Sequence, residues 1–144
     1  MTRTIKEQVR RNAVALISLV VAITSLGYNT WRNEHSEFNR NQRQASFQIL
    51  LTLGELQELV FHNIYDPDFI NTGNARTGWA LVLTLRDLSQ VIEGEVAETG
   101  VALHGTWGEH WKGIENQSGV SEEAVNEAIA GLRHATLAKL ADLD

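Results

Sequence analysis

The chain has 144 residues, one proline, no cysteine and a formal net charge of −6. This length leaves room for one membrane segment and one domain of about 115 residues with its own core. The lack of cysteine excludes disulfides, a thiolate nucleophile and Cys-ligated metal sites, and the composition rich in Leu, Ala and Glu favours helices.

The first predicted element is the segment 12–31, NAVALISLVVAITSLGYNTW, which contains no charged residue. Twenty residues of α-helix extend about 30 Å, the thickness of the hydrocarbon core of a bilayer. We therefore predict a transmembrane helix with membrane lipid around it. The expected residues at its two membrane interfaces are Arg10, Arg11, Tyr28, Trp31 and Arg32.

A cleaved signal peptide is the alternative interpretation of this segment. Ser25 and Gly27 would then precede the cleavage site, but no A-x-A motif is present, and we favour a retained anchor. Four basic residues precede the segment and three follow it in a similar window. This difference predicts a single-pass protein with a short basic cytoplasmic tail at 1–11 and its C-terminal domain on the other side of the membrane. For a bacterial protein, this corresponds to the inner membrane with the domain in the periplasm.

Small side chains recur on one side of the predicted span. Ser18 and Ala22 are four residues apart, a spacing that is typical of helices that associate within membranes. Residues 32–46 are polar nearly all round and predict a helical stalk that continues the span. A partner helix or a second copy of the chain would stabilise such a stalk.

Helical periodicity returns at residue 47 and indicates a bundle domain at 47–144. The first bundle helix is expected to end near Tyr65, because Asp66 precedes the only proline and pre-proline residues disfavour the helical conformation. Residues 66–74 have the composition of a loop, and a second helix is expected to start near Ala75.

The rest of the domain is predicted from its glycine-containing breaks. Gly94 and Gly100 predict two helices that meet within 93–100, although one uninterrupted helix is the alternative. A further break is expected at 116–119, with Ser121 as the N-cap of the last helix. The predicted fold class is all-α: one N-terminal transmembrane helix, a polar stalk and an antiparallel bundle of about four helices.

Three short runs at and after the end of the span carry a resemblance: YNTWRNE at 28–34, NRNQRQASF at 39–47 and LGELQEL at 53–59. Together they resemble a group of uncharacterised small bacterial single-pass membrane proteins. The resemblance implies an envelope location and assigns no activity, ligand or catalytic residue.

The segment LHGTWGEHWKGIE at 103–115 is the strongest candidate for a ligand site. Two indole rings with imidazoles nearby can form the walls and polar anchors of a small-molecule pocket. The candidate ligand-binding residues are His104, Trp107, His110 and Trp111.

Core packing is the other interpretation of the same segment, and we favour it. An aromatic stripe of helical period would then pack against Leu85 and Leu88, with Gly105 and Gly108 allowing a neighbouring helix to approach closely.

Other chemistry is not indicated by the sequence. His104 and His110 are six residues apart, whereas metal ligands on one helix are three or four apart, and no H-E-x-x-H or paired E-x-x-H motif is present. Glu58 and His62, at i and i+4, are expected to form an ordinary surface pair. We predict no catalytic residue, metal or cofactor, and the acidic domain disfavours nucleic acid as a partner.

These observations predict a non-enzymatic, membrane-anchored interaction or assembly protein. Its expected protein partner is a second copy of the chain or a larger membrane complex, of which it would be an accessory subunit. The alternative is a periplasmic helical bundle that senses a small ligand in a pocket lined by Trp107 and Trp111.

Overall fold

A computed structural model describes residues 12–65 and 75–143 of the chain, and within them every regular element is an α-helix. The four helices are α1 (Ala13–Tyr65), α2 (Ala75–Val91), α3 (Glu95–Glu115) and α4 (Gly119–Asp142). The predicted all-α class is confirmed, as are the end of the first bundle helix at Tyr65 and the start of the next at Ala75. The predicted basic tail, with Arg10 and Arg11, and the loop at 66–74 lie outside the described residues.

The chain divides into two compact units, one up to Asn39 and one from Arg40 onwards. In the first unit, the apolar part of α1 has none of its side chains buried against other residues. Val14, Val20 and Leu26, for example, expose 77%, 63% and 70% of their surface. Within the described residues, α1 is the one helix long and apolar enough to cross a membrane.

The second unit is a helical bundle built from the C-terminal part of α1 together with α2, α3 and α4. Each helix contributes fully buried aliphatic side chains to one core, and most of these recur at helical spacing. The largest of them include Ile49, Leu53, Leu56, Leu85, Leu103, Ile114, Ile129 and Leu132, and the buried Ile92 belongs to the connection between α2 and α3. Burial of this apolar surface supplies the main driving force for the fold.

Neighbouring helices of the bundle run antiparallel. Short connections join α2 to α3 and α3 to α4, and each of these pairs packs together. The last and first helices are neighbours too, because the Arg43 guanidinium donates to the Leu143 carbonyl and the Tyr65 hydroxyl donates to Glu122. The start of the bundle part of α1, at Arg43, thus lies beside the end of α4. The end of α1, at Tyr65, lies beside the start of α4.

The break between α2 and α3 falls at residues 92–94, at the start of the predicted interval. Gly94 has φ 81°, a left-handed conformation that a glycine adopts without steric cost, and it is the N-cap of α3. The prediction of two helices is therefore confirmed. Gly100 has a different role from the one predicted, since it lies inside α3 and its missing side chain makes room for Ser89 of α2.

The N-cap of α4 is Ser118, and the predicted cap at Ser121 is wrong. The Ser118 hydroxyl accepts a hydrogen bond from the Ser121 backbone N–H at 3.4 Å, as an N-cap side chain does for the third residue of a helix. The helix begins at Gly119, two residues earlier than Ser121. Ser121 itself is 7% exposed and forms part of the packing between α3 and α4.

Candidate functional site

The indole of Trp107 lies in the core of the bundle. It is 1% exposed, and its six-membered ring rests directly on Gly78 of α2, where a β-carbon would overlap the ring. Trp107 Nε1 has no hydrogen-bond acceptor within the described residues. A ligand would therefore reach this side chain only if α2 and α3 separated.

His104 lies one turn before Trp107 on α3 and is half-buried. Its ring meets Trp79 of α2 edge to face, with the ring centroids 5.7 Å apart. Gly108 is in ordinary van der Waals range of the same Trp79 ring, whereas Gly105 has open space around it. Of the two glycines expected to admit a neighbouring helix, only Gly108 lies beside one.

His110 faces the last helix. Its Nδ1 lies 3.2 Å from the hydroxyl of Ser121 on α4, and either atom can be the donor, depending on the imidazole tautomer. Sequence reasoning missed this contact, because the two residues lie in different helices on either side of a turn. Within the described residues no carboxylate pairs with His110, so the Ser–His contact has no third member to orient the imidazole.

Trp111 is partly buried and packs against the edge of the core, with Lys112 Nζ 5.5 Å from its ring centroid. The four candidate residues thus have different surroundings. Trp107 and His104 contact α2, His110 contacts α4, and Trp111 covers the edge of the core. Leu85 and Leu88, against which the aromatic residues of α3 were expected to pack, belong to the same hydrophobic core cluster as Trp107 and Trp111.

A shallow groove between α1 and α2 holds a second set of polar side chains. It has a volume of about 200 Å³ and is lined by Glu55, Glu58, Leu59, His62, Thr77 and Leu81. The predicted pair is present, with His62 Nε2 3.5 Å from Glu58 Oε1. Among the residues that the structure describes, no group of three His, Asp or Glu side chains is placed to hold a metal ion.

One tyrosine at the end of α1 has altered acidity. The Tyr65 hydroxyl lies 3.2 Å from Glu122, and this hydrogen bond, together with the negative charge of the carboxylate, raises the pKa of the phenol. The contact ties α1 to the start of α4.

The residues expected at the end of the predicted span lie on α1. Tyr28 and Trp31 have ring centroids 6.2 Å apart, and His35 stacks on Trp31 at 6.0 Å. Tyr28 and Trp31 expose 59% and 62% of their surface, and Arg32 is exposed beside them. Ser18 and Ala22 are likewise exposed, four residues apart on the same helix.

Comparison of the chain with protein families, with curated proteins and with solved structures finds no match.

Proposed function

We propose that this chain is a non-enzymatic, single-pass membrane protein of the bacterial envelope, whose helical domain binds other proteins and assists their assembly. The observation that carries the proposal is the apolar part of α1, which exposes bulky aliphatic side chains on all sides. Water-exposed apolar surface of this extent is strongly unfavourable, whereas a bilayer removes the cost. A helix also satisfies every backbone polar group inside the segment, as lipid requires.

The flanks of the apolar segment support the same proposal. Tyr28 and Trp31 form an exposed aromatic pair followed by Arg32, which suits the boundary between hydrocarbon and headgroups. The larger number of basic residues before the segment favours a cytoplasmic N-terminus and a periplasmic domain. The domain after the stalk is acidic, with five basic and thirteen acidic residues at 66–144, and this disfavours binding to anionic headgroups or nucleic acid.

The anchor is tested by washing native membranes at alkaline pH and following the full-length chain. An integral protein remains with the lipid, whereas a peripheral or soluble one is released. Because the chain has no cysteine, one introduced at Leu137, which is 50% exposed, reports its orientation. We expect a membrane-impermeant maleimide to label this cysteine from the periplasmic side. Release by alkali would contradict the anchor, and labelling only after lysis would reverse the orientation.

The interaction role is tested by purifying the tagged chain from its own membranes in mild detergent and identifying what accompanies it. A stoichiometric partner or a stable oligomer supports the proposal. A strict monomer that purifies alone would contradict it. Tryptophan fluorescence that changes on addition of a small molecule, and no longer does so in Trp107→Ala, would instead favour a ligand-sensing bundle.

A further inference from the structure

Part of α1 within the bundle carries large apolar side chains that face outwards. Phe47, Leu51, Phe61 and Tyr65 expose 58%, 65%, 58% and 61% of their surface. Gly54 and Glu58 occupy the positions between them, so that the six residues alternate in steps of four and three. We call this set the outer stripe: Phe47, Leu51, Gly54, Glu58, Phe61 and Tyr65.

The outer stripe lies on the side of α1 opposite the core. Ile49 and Leu56, which are fully buried, are displaced by about half a turn from Phe47 and Leu51 at 3.6 residues per turn. The helix therefore presents apolar side chains on two opposite faces, of which the bundle covers one. The other exposed large apolar side chains of this unit (Leu83, Val91, Val101, Val120 and Leu137) are spread over three helices, as on an ordinary protein surface.

We propose that the outer stripe is the surface through which two copies of this chain associate, side by side and parallel. Alternating steps of four and three residues form the seam of a two-stranded coiled coil. A straight stripe along one helix is complementary to itself about a two-fold axis parallel to that helix. The inference rests on the proposed membrane anchor, because chains that share a bilayer and enter it in one direction meet in parallel.

The area of the outer stripe suits a pair held in one membrane. Side chains of this size have about 200 Å² each, so four that are three-fifths exposed offer roughly 450 Å² per copy. The pair would bury about 900 Å² from these side chains alone, which corresponds to a weak, reversible interface of less than about 1,200 Å². Confinement of both chains to one bilayer raises their effective concentration and compensates for the modest area.

Local geometry within the stripe favours close approach of two helices. Gly54 has no atom within 4 Å of where a β-carbon would stand, so a partner helix can approach closely there. Phe61 and Tyr65 form an aromatic pair with centroids 4.8 Å apart, a preformed apolar surface at one end. Glu58 places a carboxylate in the seam, where it would meet the same residue of the second copy. The two negative charges repel each other, and this repulsion makes the association reversible.

The test uses single cysteines in the otherwise cysteine-free full-length chain, in native membranes. In a parallel two-fold pair each stripe residue faces itself, so Leu51→Cys and Phe61→Cys are each expected to form a disulfide-linked dimer on mild oxidation. Val101→Cys and Leu137→Cys are the matched controls, since these residues are 52% and 50% exposed on other helices. We expect both controls to remain monomeric.

A second variant tests whether the stripe drives the association. Leu51→Glu adds a charge at an exposed position that the bundle fold does not need, and it is expected to reduce cross-linking through Phe61→Cys about tenfold. Equal cross-linking at stripe and control positions, unchanged yield in the Leu51→Glu background, or an adduct with a different protein would each overturn the proposal. Alkaline washing of the same membranes shows separately whether the anchor holds, so failure of the stripe is distinguished from failure of the proposed function.

Discussion

At the residue scale, the contact between Trp107 and Gly78 is a close helix–helix packing that involves a rigid aromatic ring. The ring lies where any larger side chain at position 78 would stand, and both residues are buried. A bulky indole cannot move aside as a flexible side chain does, because the surrounding core is closely packed. The spacing of α2 and α3 therefore depends on the absence of a β-carbon at Gly78.

We expect Gly78→Ala to lower the free energy of unfolding by about 1–3 kcal/mol, because the added methyl group forces the Trp107 ring to shift. Gly105→Ala is the control, since Gly105 is an exposed helical glycine with open space around it. That change should stabilise the chain by about 0.5–1 kcal/mol through the better helix propensity of alanine. Thermal unfolding of the full-length variants in detergent checks both signs. A stabilised Gly78→Ala would contradict this packing.

Ser118 at the start of α4 gives a second prediction at this scale. Ser118→Ala removes the side-chain acceptor for the Ser121 N–H and should cost about 1 kcal/mol of stability. Ser118→Asp should retain most of the wild-type stability, because aspartate also caps helices and its charge favours their N-termini. Thermal unfolding of the two variants provides the comparison. If alanine and aspartate behaved alike, the capping role would be wrong.

Several contacts of single residues could not be predicted from the sequence. Periodicity placed Trp107 on an apolar face, but only the tertiary structure shows that Gly78 is what the ring rests on. Ser121 follows a glycine-containing break and resembles a cap, but the helix starts two residues earlier and Ser121 is buried. The contact between His110 and Ser121 needs the folded turn between α3 and α4, and no local pattern marks it.

At the scale of elements, the sequence was most informative about helix ends. The only proline and the three–four spacing of apolar residues predicted the boundaries near Tyr65 and Ala75, and the glycines predicted the next break within 93–100, because these signals act locally on backbone conformation. The sequence was less informative about which helices pack against one another. The outer stripe of α1 was also not predicted as an exposed surface, since both faces of this helix are apolar and periodicity does not tell which of them the bundle covers.

Glu58 gives a prediction that belongs to this element. Its side chain is 72% exposed in the middle of the outer stripe, so replacing it should have little effect on the bundle itself. In a parallel pair, Glu58→Gln removes the repulsion between two facing carboxylates and should raise the dimer association constant about two- to fivefold. Sedimentation of the full-length chain in detergent measures this constant. Glu123→Gln, an equal change of charge on the exposed surface of α4, should leave it unchanged.

At the scale of the whole molecule, charge and apolar surface are distributed unequally. The apolar segment at 12–31 has no charged residue, whereas residues 66–144 carry a net charge of −8. A soluble helical protein would bury its most apolar helix, but the apolar part of α1 has no side chain buried against the rest of the chain. This combination motivates the membrane anchor and leads to the last prediction.

Val20→Lys combined with Ile23→Lys should prevent stable membrane insertion. Each lysine near the centre of a span costs about 2.5–3.5 kcal/mol of insertion free energy, and the two together offset much of what the aliphatic residues supply. Both positions are 63% exposed, so the change leaves the core of the bundle intact. The matched control is Val120→Lys with Leu137→Lys, which adds the same charges at exposed positions of α4. We expect the first variant to leave the alkali-washed membrane fraction and the second to remain there. Equal retention of both would mean that the apolar segment is not what holds this protein in the membrane.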